Sequence, residues 1–482
     1  MTLTFSETEI QALFGHEAAE DEDPERLRDY YFKTATYDHV ATDLSLRILV
    51  GHKGIGKSAL FAIAIAEDRE QGRIAVLIKP DDIAELGTDT TDFLKTVRAW
   101  KLGLVEIIAS NVLRSFGRSG AGISSKLKQF GGGVLEFLKN SFREPDNLKL
   151  DATNQHLVTQ FLKNSVLTVY IDDLDRGWEG RRQDVVRISA LLNAVRDLIN
   201  ENRGIRVRVS LRSDVYYLVR TSDESTDKIE GSVIWQTWTN HEIFVLLIKR
   251  IETFFGRTID EQYLLKEPQR NLARYLSPVM ELRFAGEGKW KNAPMHRILM
   301  SLIRKRPRDL VKLCTLAARN AREHRFEKLY TQNFREIFTE YSQGRIQDTI
   351  NEFRSELADI ERLILSMKPA KKERRTKVGY VYDTGQLLQK INDIRQSGEF
   401  RFANKKVATQ KELAAFLYKI NFLTARKETE DGIVRMYFEE NRYLSNEFVD
   451  FGFAWEVHPA YRWALQPDSI DQIFASLELS AA

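Results

Sequence analysis

The chain has 482 residues, 43% of them hydrophobic, 29% charged and 10% aromatic, enough for two or three domains with real cores at roughly 100–200 residues each. Lys plus Arg number 72 and Asp plus Glu 69, so the net charge is only +3 and no global basic field dictates a nucleic-acid partner. The single cysteine, Cys314, excludes an internal disulfide framework and a cysteine-cluster zinc site; in the helical-looking run LVKLCTLAARN it reads as a small buried apolar residue.

Residues 1–43 are polar and acidic, with Glu20-Asp21-Glu22-Asp23 ahead of the aromatic cluster Tyr30-Tyr31-Phe32. The N-terminus shows no basic segment followed by an apolar one, so a signal peptide is not expected. No apolar run approaches the ~18–20 residues of a membrane span, and the expected location is cytoplasmic. Leu44 to Val50 reads as a short buried strand, followed by a glycine-rich turn and a helix from Ser58. Ile74 to Ile78 reads as a second strand, residues 90–165 as mostly helical, Val166 to Ile171 as a third strand, Asp184 to Asn200 as a helix and Ile205 to Leu211 as a fourth strand. Strands alternating with helices imply βαβ units and a parallel sheet. After Trp238 long helical stretches run to about residue 365. A basic segment with Lys368, Lys371, Lys372, Arg374, Arg375 and Lys377 then precedes two helical runs and the strand-like IVRMYFEE and AWEVHP; helices followed by a β-ribbon suggest a winged helix.

Gly51 to Ser58, GHKGIGKS, fits the phosphate-binding pattern G-x-x-x-x-G-K-[ST]. The preceding strand aims the chain at the ligand. Gly51, Gly54 and Gly56 permit backbone angles that turn successive N–H groups inward, Ile55 lying between the last two. The helix that takes in Ser58 and Ala59 points its positive end at the phosphates. Lys57 adds a charge near the β and γ phosphates, and Ser58 supplies a hydroxyl to Mg2+. Further on, VLTVYIDDLD is a hydrophobic strand ending in acids. Asp172 would hold the metal and Asp173 would orient or polarise the attacking water; the alternative is a strand ending in a solvated acidic turn. No Asn-Lys-x-Asp guanine-reading motif is present, which favours ATP. Tyr30, Tyr31 and Phe32 either stack near the base or pack in the core.

Asp172-Asp173-Leu174-Asp175-Arg176 resembles the DDLDR signature of KAP-type P-loop ATPases, near the AAA+ and STAND branch. The wider layout is similar to bacterial origin-recognition-like AAA+ ATPases. The resemblance implies an α/β fold: a parallel P-loop NTPase sheet with a helical lid and a C-terminal winged-helix-like domain. It would divide the chain into a lead-in over 1–43, a core over 44–255 with a helical insertion at about 90–165, a lid over 256–367, a linker over 368–378 and a winged-helix-like domain over 379–482. The long insertion departs from the family pattern, as does the lack of the transmembrane insertion many KAP proteins carry.

The resemblance also implies site residues. Arg212, ending the fourth strand, would sense the γ-phosphate or else pair locally with Asp214. Arg308, in the helix start Arg306-Pro307-Arg308-Asp309, would be the lid's sensor arginine or else an exposed basic residue; Pro307 suits a first helical turn. Arg176 would be a finger completing a neighbour's site. His458 would touch the β-phosphate of ADP, as winged-helix histidines do in STAND switches, or be satisfied by local hydrogen bonds. The function implied is a Mg2+-dependent ATP-hydrolysing switch or oligomerising ATPase, of a kind associated with defence against phage. The alternatives are a DNA-associated loader and a non-hydrolysing nucleotide-gated scaffold. Partners implied are further copies of the chain or a separate effector protein, with DNA a candidate through the basic segment and no membrane.

Overall fold

The computed structural model describes residues 2–117, 133–143, 152–222, 224–370, 379–430, 432–446, 452–466, 473 and 477–479. Most of the basic segment, 371–378, lies outside them, as does part of the expected helical insertion at about 90–165, namely 118–132 and 144–151. The chain forms two compact units: one comprises Lys33–Lys53 and Lys57–Gln236, the other Met1–Phe32, Gly54–Gly56 and Thr237–Ala482.

The first of these is built on five strands: β1 (Leu46–Gly51), β2 (Ile74–Ile78), β3 (Leu167–Ile171), β4 (Ile205–Arg212) and β5 (Val233–Trp235). All pair in parallel, in the order β2-β3-β4-β1-β5. A parallel sheet is covered by helices on its faces, so its strands must be apolar nearly throughout; every residue of β3 is buried, and so are Leu46, Ile48, Leu49 and Val50 of β1. The helices Lys57–Glu70, Phe93–Ser115 and Arg182–Glu201 supply Leu60, Ile108, Leu191 and Val195 among others to the core. β1 to β4 form where alternation and apolar runs predict them, shifted by a residue or two at the ends, whereas β5, three residues long, was not expected. The register sets the functional edge. Gly51 pairs with Arg212, and Ile171 with Val209, so β1, β4 and β3 end close together at their C-terminal edge.

The second unit is mostly helical, with Asn240–Phe254, Met295–Leu302, Pro307–Glu323 and Thr331–Phe353 around a core that includes Trp290, Phe338 and Trp463. Thr239 and Glu242 form a capping box that starts the first of these helices. The expected continuous helical run is interrupted by a short ribbon, β6 (Arg283–Ala285) with β7 (Lys291–Pro294), because the Gly286-Glu287-Gly288 turn, with Gly288 at φ 58°, reverses the chain. Four further strands, β8 (Val381–Tyr382), β9 (Leu423–Thr429), β10 (Gly432–Met436) and β11 (Ala454–Val457), form a sheet in the order β10-β9-β11-β8. With the helices Thr384–Gln396 and Gln410–Lys419 it makes a winged-helix-like arrangement. The strand expected over IVRMYFEE stops at Met436, where a turn closed by Glu440 onto Tyr437 begins. No helix among the described residues is long and apolar enough to cross a membrane.

Candidate functional site

The loop that fits the phosphate-binding pattern follows β1 directly. Gly54 and Gly56 have φ of 78° and 100°, angles that side-chain-bearing residues rarely adopt. Gly54 is required twice over: a Cβ there would lie 2.9 Å from Cβ of Arg308. Ile55 is buried, and its carbonyl accepts a hydrogen bond of 2.8 Å from the Trp238 indole N–H. Lys57, the first residue of its helix, donates through Nζ to the carbonyls of Gly51 at 2.9 Å and His52 at 3.2 Å. Ser58 and Ala59 occupy the first turn, half-buried.

The acidic end of β3 stands two strands away, with β4 between, a separation of ~10 Å at the usual strand spacing. Asp172 is buried, and its Oδ1 accepts from the Ser210 hydroxyl and, at 2.9 Å, from the backbone N–H of Asp173. Its Oδ2 makes no hydrogen bond among the described residues. Asp173 adopts φ 58°, a left-handed conformation that Asp tolerates better than most residues. The turn is closed by the Arg176 N–H on the Asp173 carbonyl at 3.0 Å. Arg212 grips Asp214 bidentately at 2.9 and 2.6 Å and reaches Asp175 at 3.2 Å. The local pairing with Asp214 is therefore present, and the same guanidinium ties the end of β4 to the acidic turn. Arg176 stands 65% exposed, 3.9 Å from Asp173.

Mg2+ fits this donor set. A P-loop magnesium takes most of its ligands from phosphates and water, and the chain offers Oδ2 of Asp172 and the hydroxyl of Ser58, which makes no hydrogen bond among the described residues. No group of three His, Cys, Asp or Glu that could hold a metal occurs among those residues, and this type of site needs none.

In the helical unit Arg308 presses on the loop tip. Its backbone N–H donates to the Gly54 carbonyl at 3.3 Å and its Nε to the Glu17 carbonyl at 2.9 Å, while its two terminal nitrogens make no hydrogen bond among the described residues. His458 is fully buried. Its Nδ1 accepts from the Ala460 N–H at 3.1 Å, and its Nε2 lies 2.8 Å from the Tyr437 hydroxyl. Burial holds the ring neutral, its pKa well below the ordinary value. Both nitrogens are thus engaged locally, and the geometry favours the local alternative over contact with a diphosphate. Tyr30 and Phe32 are core residues: Tyr30 bonds Glu22 at 2.7 Å, and Phe32 packs on Trp238. Cys314 is buried, its thiol pushed up to about 12.

Sequence reasoning passed over several residues around the candidate site. Ser210 orients Asp172, and Ser213 bonds His52 of the loop at 3.0 Å; the alternation of IRVRVSL puts Ser210 on the polar side of its strand, and Ser213 lies beyond that run, so neither carried a signal. Trp238 anchors the loop tip with no local signal at all.

No family model matches the chain. It is 22% identical to a protein of 80.3 kDa named for the gamma-delta transposon of Escherichia coli strain K12, across 95% of this chain and 69% of that one. Among solved structures it is similar to a Walker-type ATPase of Pyrococcus abyssi (13% identity, TM-score 0.40, covering 89% of this chain and 93% of that one). It is also similar to the Aeropyrum pernix ORC2 protein (12%, 0.41, covering 91% and 92%) and to the ORC1 protein of the same organism in complex with DNA (12%, 0.36, covering 96% and 97%). TM-scores below 0.5 settle neither activity nor partner, which the residues of this chain must carry. The class those residues define is an α/β fold with a P-loop.

Proposed function

We propose that this protein is a magnesium-dependent ATPase that works as a nucleotide-driven switch. The supporting observation is the shared edge of the sheet: the loop with Lys57 and Ser58 leaves β1, and Asp172-Asp173 leave β3, at the same C-terminal edge with β4 between them. Bound Mg2+ would neutralise charge on the transferring phosphoryl group. Lys57 would exchange its loop carbonyls for β and γ phosphate oxygens, Asp172 would turn its open oxygen to the cation shell, and Asp173 would orient the attacking water. Arg308, whose terminal nitrogens make no hydrogen bond among the described residues, would read the γ-phosphate; Arg212 would do so only by leaving Asp175 or Asp214, which makes it the weaker sensor. Further copies of the chain or a separate effector would be the readout, and defence against phage is the role the resemblance suggests.

A DNA-associated ATPase is the second reading, supported by six basic residues between Lys368 and Lys377 just ahead of the winged-helix-like segment. The test is phosphate release from ATP by the full chain with magnesium, with EDTA, and with duplex DNA at two salt concentrations. Magnesium-dependent release supports the ATPase reading, and salt-sensitive stimulation by DNA supports the second. ATP binding without turnover would replace both with a nucleotide-gated scaffold, and no binding by calorimetry would end all three.

A further inference from the structure

The turn that leads into the Arg308 helix is held by groups from distant parts of the same unit. The Ile303 carbonyl accepts from the Tyr437 hydroxyl at 3.4 Å. Arg304 binds both oxygens of Asp309, at 2.7 and 2.8 Å, and donates from Nη1 to Thr349 and to the Tyr461 hydroxyl, each at 3.0 Å. Lys305, at φ 53°, pairs with Glu440. Arg306 pairs with Glu352 at 3.0 Å, both side chains 2% exposed. Asp309 takes a further bond of 2.6 Å from Arg345 and also caps the Arg304 backbone N–H at 3.1 Å. Arg308 lies between Arg306 and Asp309, in the first turn of its helix. Buried, charge-assisted bonds thus flank it on both sides along the chain, and such bonds are the strong and geometrically exacting ones.

Two of these grips end on hydroxyls of the C-terminal segment. Tyr461 follows β11, and Tyr437 follows β10. Tyr437 is itself aimed by His458: with Nδ1 accepting from Ala460, the neutral ring carries its proton on Nε2 and donates to the Tyr437 oxygen, leaving that hydroxyl to donate to Ile303. We infer that Tyr437 and Tyr461, with His458 behind Tyr437, are positioning residues that set Arg308 against the phosphate loop and so tune how strongly the protein prefers a triphosphate to a diphosphate. This rests on the reading of Arg308 as the γ-phosphate sensor.

The test measures ATPγS and ADP dissociation constants by titration calorimetry, in the full chain with magnesium, for Y437F, Y461F, their combination, R308A, and the combination with R308A. Each tyrosine change removes one hydroxyl and keeps the ring. R308A should lower the ATPγS-over-ADP preference about tenfold or more, the span of one charge-assisted hydrogen bond. The combined tyrosine variant should lower it several-fold, with ADP affinity within twofold of wild type, and should have no further effect in the R308A background. A structural role alone would weaken both nucleotides together or lower only the melting temperature, and either result overturns the proposal. A preference loss that multiplies with that of R308A overturns it as well. R308A binding with wild-type preference removes the sensor reading itself, and this proposal with it; an impaired R308A beside unimpaired tyrosine variants removes only the positioning role.

Discussion

Replacing Lys57 with alanine probes the phosphate loop most directly. In the structure the ammonium is not idle: it donates to the carbonyls of Gly51 and His52, bonds worth about 1.5–3 kcal/mol each where the donor is charged. Nucleotide binding exchanges these for bonds to phosphate oxygens, so affinity gains only the difference between neutral and anionic acceptors. Both sets of bonds are charge-assisted, but phosphate oxygens carry full negative charge where the carbonyls carry none; a net gain of about 1.4 kcal/mol corresponds to tenfold in Kd, and a loss of at least that size is expected. The variant also leaves the carbonyl of buried His52 without that donor, so some loss arises from a loosened loop. Calorimetric titration with Mg-ATP measures the sum, and far-ultraviolet circular dichroism confirms the fold. An unchanged Kd in a folded variant would refute the assignment of this loop to phosphate, whatever its sequence pattern.

Asp173→Asn keeps the side chain's shape and removes its charge, so ATP should still bind while turnover falls about 10²-fold; turnover at the wild-type rate would send the search for the water-orienting group elsewhere. Asp309→Ala strands the Arg304 and Arg345 guanidinium groups in the core and should cost about 3–5 kcal/mol; a urea midpoint close to wild type would show that the pair network contributes little to folding. His296, stacked on Phe244, is held neutral by burial with its pKa lowered to about 4 from 6.5. Its contribution to stability is complete above pH 6.5 and is lost as pH falls towards 4, because only the unfolded chain takes up the proton in that window. Wild type should therefore lose about 2 kcal/mol more than His296→Phe between pH 7 and pH 5, at up to ~1.4 kcal/mol per pH unit; parallel urea titrations at the two pH values measure this, and equal losses would show that His296 is not the group that titrates.

The nucleotide loop and the acidic strand were legible in the chain because their physics is local. Gly54 and Gly56 turn the chain between an apolar strand and a helix, a pattern written in neighbouring residues, and the apolar run of the third strand gives way to its acids at Asp172. The parallel sheet followed from the same apolar runs, since a strand covered on both faces has no polar alternation to display. The partners of the single charged side chains were not legible. Arg212 and His458 each had two readings in the sequence, and the choice depended on what the fold brought alongside: Asp214 and Asp175 for one, Tyr437 and the Ala460 amide for the other. β9 escaped notice because only Leu423 and Ala425 of its seven residues are apolar, too few to mark a strand, and the burial of Thr424 and Arg426 beside them comes only with the folded sheet and helices. Asp309 read only as part of the basic helix start Arg306-Pro307-Arg308-Asp309, and Arg304 drew no reading; only in the folded chain do Arg345, Thr349 and Tyr461 converge on them. A buried charge needs partners wherever the chain can supply them, and those that satisfy this one come from helix and sheet segments far along the sequence, where no local pattern records the pairing.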